Sequence, residues 1–227
     1  MNNRESAMDS LSARELLDTV RRYYYTPLPS QQLEDPDIFE RLQSTPEFQA
    51  WSAAREDAKN RWPEWNSLVK KLDGALPEFS VRNESMPGMS CYEAEVWPDD
   101  PLNPRDPMNP KPPEDGAIVA SLVVRVSYFA PVYEMYESSA QAVYRPGARV
   151  DEQGQTWPTY INQRRTHTIS PALRPAADAF ARAIEAHYEY QLVDPELLDI
   201  QLINTAIWED RFNRGTLGEA LFSYYRL

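Results

Sequence analysis

Hydrophobic positions along the chain fall first at helical spacing and later at alternating spacing. Leu16, Leu17, Val20 and Tyr24 form a stripe at the 3.6-residue period. Ser12 and Glu15 frame its start as a capping box, in which the serine oxygen accepts from the third amide and the glutamate reaches back. Leu11 stands where a hydrophobic staple to Leu16 belongs, and Pro27 and Pro29 end the segment. A second helix is predicted from about Pro46 to Lys59, opened by a box at Ser44–Glu47, with Phe48, Trp51 and Ala54 sharing a face. A third runs from about Pro63 to Asp73, with Trp65, Leu68, Val69 and Leu72 on one side and Gly74 as its stop.

The period then changes to two. In SCYEAEVW, Tyr92, Ala94 and Val96 alternate with Glu93, Glu95 and Trp97, the pattern of a strand with one polar face. From Pro98 to Pro113 there are seven prolines, a density that neither ladder nor helix survives. Strand patterns flank this segment, so it reads as an exposed hairpin loop; a domain break there would leave two open sheet edges. The most apolar run follows, SLVVRVSYFAPVYEMYE. Ile118, Ala120, Leu122, Val124, Val126 and Tyr128 fall on one face of it, and Val119, Ser121, Val123, Arg125 and Ser127 on the other. That is a central strand packed against helices. Val132–Tyr136 continues or pairs with it after a bend at Pro131, and Ala142–Arg145 adds a short strand.

Residues 146–169 show little periodicity. Ser170-Pro171 then opens a helix with Leu173, Ala177, Phe180, Ile184 and Tyr188 as its stripe. Leu197–Ile203 fits strand or helix, and TLGEALFSYYRL places Leu217, Leu221 and Tyr224 on one helical face. Helices, then strands, then helices predict an α+β fold, with an antiparallel sheet of three to five strands covered by N-terminal and C-terminal helices. We read residues 1–227 as a single domain carrying the exposed Pro-rich loop at 98–113.

Composition narrows the partners. The 23 basic and 35 acidic side chains give a net charge of −12, which opposes nucleic acid and favours a cationic partner. The excess is confined. From Tyr92 to Asp115 there are seven acids and two bases, and from Glu185 to Asp210 seven acids and no lysine or arginine. Together these segments equal the whole net charge, and such confinement steers a basic partner. Cys91 is the single cysteine, no apolar leader opens the chain, and no run is long enough to span a bilayer; a cytoplasmic protein with no membrane association is the expectation.

No constellation names a reaction. Gly215 and Gly218 in GTLG lack the lysine of a phosphate loop, and there is no HExxH spacing, Cys/His cluster or GxSxG elbow. Neither a metal nor a cofactor is implied, and Cys91 sits among acids that disfavour a thiolate. Glu93 and Glu95 project to one side of a strand about 7 Å apart, a separation that suits acid and base in glycoside hydrolysis. Tyr133, Glu134, Tyr136 and Glu137 combine rings and acids that suit a sugar or the basic side chains of a partner protein.

In the order and character of their elements, RELLDTVRRYYY, SLVVRVSYFAPVYEMYE and TAIWEDRFNRGTLGEALFSYY resemble the immunity proteins of bacterial polymorphic toxin systems. The resemblance implies a tight, specific protein partner, a toxin domain that is bound and blocked, and no enzyme activity. The expected partner surface is acidic and tyrosine-bearing: Glu93, Glu95, Tyr133, Glu134, Tyr136 and Glu137, with Glu209 and Asp210 as a second patch. The alternatives are a glycan-acting enzyme using paired carboxylates and a structural or adaptor component of a phage or secretion assembly.

Overall fold

The alternation of apolar and polar residues becomes a six-stranded sheet whose two faces differ in chemistry. The computed structural model describes residues 11–24, 43–86, 89–98, 114–144, 156, 158–202, 206–207, 211–212 and 215–222. Three helices come first: α1 (Ala13–Tyr23), α2 (Pro46–Asn60) and α3 (Trp62–Ala75). The box at Ser12 forms as expected, with Ser12 N–H donating to Glu15 at 2.8 Å. At the second helix the cap is Thr45, not Ser44, because Pro46 occupies the first helical position and the Thr45 hydroxyl accepts from Phe48 N–H.

The sheet is built from β1 (Phe79–Asn83), β2 (Cys91–Pro98), β3 (Ile118–Ser127), β4 (Val132–Val143) and β5 (Thr159–Thr166), antiparallel neighbours in chain order. The short strand β6 (Gln191–Leu192) pairs in parallel with Val132 and Tyr133, on the edge that β5 leaves uncovered. The fold is therefore α+β, and the antiparallel part has the five strands at the upper bound of the expectation. Segment 99–113 lies outside the described residues, but β2 and β3 on either side of it pair directly, Val96 with Leu122 and Cys91 with Ser127. Of the stretch expected at Ala142–Arg145, Ala142 and Val143 are the end of β4, and Arg145 lies outside the described residues.

Two strands of the antiparallel part were not foreseen. β1, FSVRN, alternates but is only five residues long, and β5, TYINQRRT, is polar but for Tyr160 and Ile161 and mostly exposed. β5 is an edge strand that buries little, so its sequence need not alternate. β5 is held by its pairing to β4 across an irregularity at Ser139/Gln141, near Asn162 with φ 54°.

The helix α4 (Arg174–Tyr188) carries the stripe foreseen for it, all of it buried, and ends on Glu189 in the left-handed conformation. With α3 and the end of α2 it covers one face of the sheet. Val81, Tyr92, Ala94, Val96, Leu122, Val124 and Val126 point into that layer. Trp65 stacks on Tyr92 at 5.4 Å, and the Tyr92 hydroxyl donates to Ala58 O at 2.6 Å. After α5 (Pro195–Leu198), β7 (Gln201–Leu202), β8 (Ala206–Ile207), β9 (Arg211–Phe212) and β10 (Gly215–Thr216), the chain closes with α6 (Leu217–Phe222).

Together with α1, α6 covers one end of the opposite face, over Cys91, Val132 and Phe129. The last carbonyls of this helix have no intrahelical donors. Tyr24 supplies one to Ala220 O at 2.8 Å, and Ser127 another to Leu221 O at 3.0 Å. The glycine pair weighed as a phosphate loop is a packing device. A Cβ on Gly218 would stand 3.1 Å from Leu198 Cβ, so its absence lets α6 lie close to α5.

Val124 is 0% exposed on the helix-covered face of β3. Val124→Asp places an unpaired charge there and is expected to cost on the order of 4 kcal/mol, read as a large fall in melting temperature. An unchanged melting temperature contradicts the register Val124↔Ala94 and Val124↔Met135.

Candidate functional site

Away from α6, the second face of the sheet carries cross-strand rows of polar residues. Pairing fixes them: Glu93↔Arg125↔Glu134, then Glu95↔Val123↔Tyr136, then Ser138↔Arg165 at the β4–β5 border. All of these but Glu134 line a cavity of about 710 Å³, with Glu84, Trp97, Ser121, Tyr160 and Gln163.

Arg125 organises the floor. Its Nε donates to Glu93 Oε2 at 2.5 Å and its Nη1 to Glu134 Oε1 at 3.4 Å. A lone arginine in an apolar strand is costly to bury unless paired, and here carboxylates from both neighbouring strands pair it. Burial works against the guanidinium charge, but Cys91, Tyr136, Glu93 and Glu134 around it outweigh that and raise its pKa. Burial also raises the Glu134 carboxyl above its ordinary value, with Arg125 opposing. The Tyr136 ring is flanked by two guanidiniums, Arg125 at 5.3 Å and Arg165 at 5.0 Å from its centroid. Burial pushes its phenol up to about 12, against both arginines.

The β1–β2 side of the cavity is richer in negative charge. Burial raises the Glu95 carboxyl, and the nearby Glu84 and Glu93 raise it further, while a 2.5 Å hydrogen bond from Ser121 Oγ lowers it. Glu84 is likewise raised, by burial first and by Glu93 as well, with Arg82 opposing. Three carboxylates thus face one space in which Arg125 is already shared between Glu93 and Glu134. Trp97, Tyr136 and Tyr160 add aromatic wall. Among the described residues, no three His, Cys, Asp or Glu side chains gather as a metal site.

This arrangement divides the residues singled out from the sequence. Glu93 and Glu95 are together in the cavity, as their spacing requires. The quartet from Tyr133 to Glu137 is not one surface, because successive residues of a strand point to opposite faces. Tyr136 borders the cavity. Glu134 is 7% exposed and engaged with Arg125, so it is a supporting residue and not a contact residue. Tyr133 and Glu137 face the helices. Tyr133 is 0% exposed and donates to Glu185 Oε1 at 2.7 Å, while Glu137 Oε2 accepts from Ser170 N–H ahead of α4 at 2.8 Å.

Those two residues leave the expected surface for that physical reason. Glu185, in the second acidic segment, also lies on the helix side, so the two acidic segments do not merge into one patch at this point. Glu209 and Asp210 lie outside the described residues.

Arg125, Glu84, Trp97, Ser121, Tyr160 and Arg165 were not foreseen as site residues. Arg125 left a signal, since a charge in the middle of SLVVRVSYF must find a buried partner. Tyr160 and Arg165 left none, because the edge strand that presents them has no pattern of its own.

No family model matches the chain, and no curated protein or solved structure does either. No described helix is long and apolar enough to cross a membrane.

Two stability measurements check the floor and the rim. Arg125→Leu strands Glu93 and Glu134 and is expected to cost about 3–5 kcal/mol at neutral pH. Part of that loss should return as acid protonates the carboxylates, and a pH-independent loss contradicts the pairing. The folded Glu95 carboxyl lies above its unfolded value, so its ionisation destabilises the fold as pH rises through the folded pKa. Glu95→Gln keeps an acceptor for Ser121. It should raise the melting temperature near neutral pH, with the gain vanishing once the pH falls below the wild-type carboxyl's pKa. A gain that persists in acid contradicts this account.

Proposed function

We propose that the protein binds and neutralises a toxin domain, and that the open part of the second sheet face is the binding surface. The observation that carries the reading is the crowding of Glu84, Glu93 and Glu95 at the edge of one aromatic-walled cavity, with two of these carboxyls raised by burial and mutual repulsion. A cationic side chain entering that space relieves the repulsion that isolated carboxylates there must bear. Tyr160 offers an exposed ring to the same group, beside Trp97 and Tyr136, whose rings already carry Arg82 and the pair Arg125 and Arg165. The net charge of −12 supports the reading at longer range, because it attracts a basic partner during encounter. The likeness in element order to immunity proteins points the same way.

A second reading rests on the same cavity. A buried carboxyl with a raised pKa, Glu95, two residues from the ion-paired Glu93 and beside aromatic walls, is also an arrangement for acid–base cleavage of a glycan. The two readings part at the bench.

The test is binding kinetics with the product of the neighbouring gene at two ionic strengths, alongside rescue of cells expressing that product. Under the inhibitor reading, reversing Glu84 and Glu95 to lysine slows association and flattens its salt dependence, while Trp97→Ala or Tyr160→Ala speeds dissociation by about tenfold or more. If the purified protein alone cleaves a glycan and Glu95→Gln abolishes that activity, the enzyme reading replaces it. Binding that none of these substitutions alters places the partner elsewhere and overturns the assignment of the face.

A further inference from the structure

A second cavity, of about 540 Å³, opens near the other end of the sheet. One wall is the alanine side of α2: Ala50, Ala53, Ala54 and Ala58, at helical spacing. The other is aromatic: Tyr92 from β2, Tyr128 from the β3–β4 turn, Tyr188 and Tyr190 from the end of α4, and Tyr23 from the end of α1. Asp57 and Arg61 stand at its border. The volume lies in the range of small-molecule sites and exceeds what one inserted side chain fills.

Tyr188 differs from three other buried tyrosines. Tyr24, Tyr92 and Tyr133 each donate a hydrogen bond, to Ala220 O, Ala58 O and Glu185 Oε1. Tyr188 is 8% exposed, and its hydroxyl has no hydrogen-bond partner. A phenol held this way forgoes a hydrogen bond it makes in water. Burial pushes it up to about 12, so the hydroxyl stays neutral and able both to donate and to accept.

Arg61 lies over the same ring, 5.3 Å from its centroid, is tied to Glu64 by a 3.4 Å contact and engages Tyr190, and keeps nearly half of its side chain exposed. Its charge also selects: a second cation on these rings would be repelled. Methyl groups on one wall and aromatic side chains on the other suit a flat group better than a chair-shaped sugar. We infer that this cavity binds a planar, neutral heteroaromatic ligand of the purine nucleoside class, with the base between α2 and the tyrosines and one polar edge on the Tyr188 hydroxyl. The site is separate from the acidic cavity and does not rest on the toxin reading.

The probes are adenosine and guanosine, followed by calorimetry and ligand-observed NMR on the full chain, with glucose and tetramethylammonium as comparisons. The wild type should bind a nucleoside in preference to either comparison. Tyr188→Phe, which keeps the ring, should weaken that binding about tenfold, the equivalent of one neutral hydrogen bond. Ala54→Phe should abolish it by filling the slot. Ala53→Trp, at an exposed position of the same wall, does so if Ala54→Phe fails to fold. Glu95→Lys should leave it unchanged. No binding of either nucleoside, equal binding of the sugar or the ammonium ion, or binding insensitive to Tyr188→Phe and to the filling variants overturns the proposal.

Discussion

The ion pair of Arg125 with Glu93 and Glu134 is the constraint on which the second face of the sheet depends. It sits in the middle of three adjacent strands, with Cys91, Ser127 and Val132 on one side under α6 and the open cavity on the other. Removing an arginine and two acids from bulk water is costly, and the arrangement holds because each charge has a partner across the ladder. The row thereby marks where the apolar core ends and the polar cavity begins. It also fixes the strands' register, since a slip of one residue would place Arg125 among Val124, Val126 and the helices.

The opposite face follows simpler rules. Tyrosines and tryptophans fill the space between sheet and helices, and apart from the Tyr188 hydroxyl their buried polar atoms there are met locally: Trp65 Nε1 donates to Asn83 Oδ1 at 3.0 Å, and Tyr133 to Glu185. An acidic side chain of the second charged segment is thus used inside the protein to hold a core tyrosine. The two acidic segments are distinct in role as well as in place, and the cavity receives its carboxylates from β2 and the residue that follows β1.

Where a buried face runs the length of a long element, the fold was legible in the chain. Val124 and its neighbours alternate because one side of β3 meets helices, and the stripe from Leu173 to Tyr188 appears because α4 buries it. β5 was not legible, because an edge strand with both sides polar has no periodicity to betray it. The site was half legible for the same reason. Glu93 and Glu95 were found by their spacing, but the apolar–polar pattern of VYEMYE hides which residues point inward. Tyrosine serves core and surface alike, so Tyr133 and Tyr136 could be separated only by the pairing of β4 with β3. A glutamate on the strand beside an arginine gives no sign, in sequence, that it is neutralised.

If the open part of the sheet meets the partner, as proposed, hydrogen exchange of the protein alone and with the proposed toxin domain bound will report it there. Added protection should map to β2 from Glu93 to Trp97, to β3 from Val119 to Arg125 and to β5. Protection confined to the exposed sides of α3 and α4, with those strands unchanged, would contradict it.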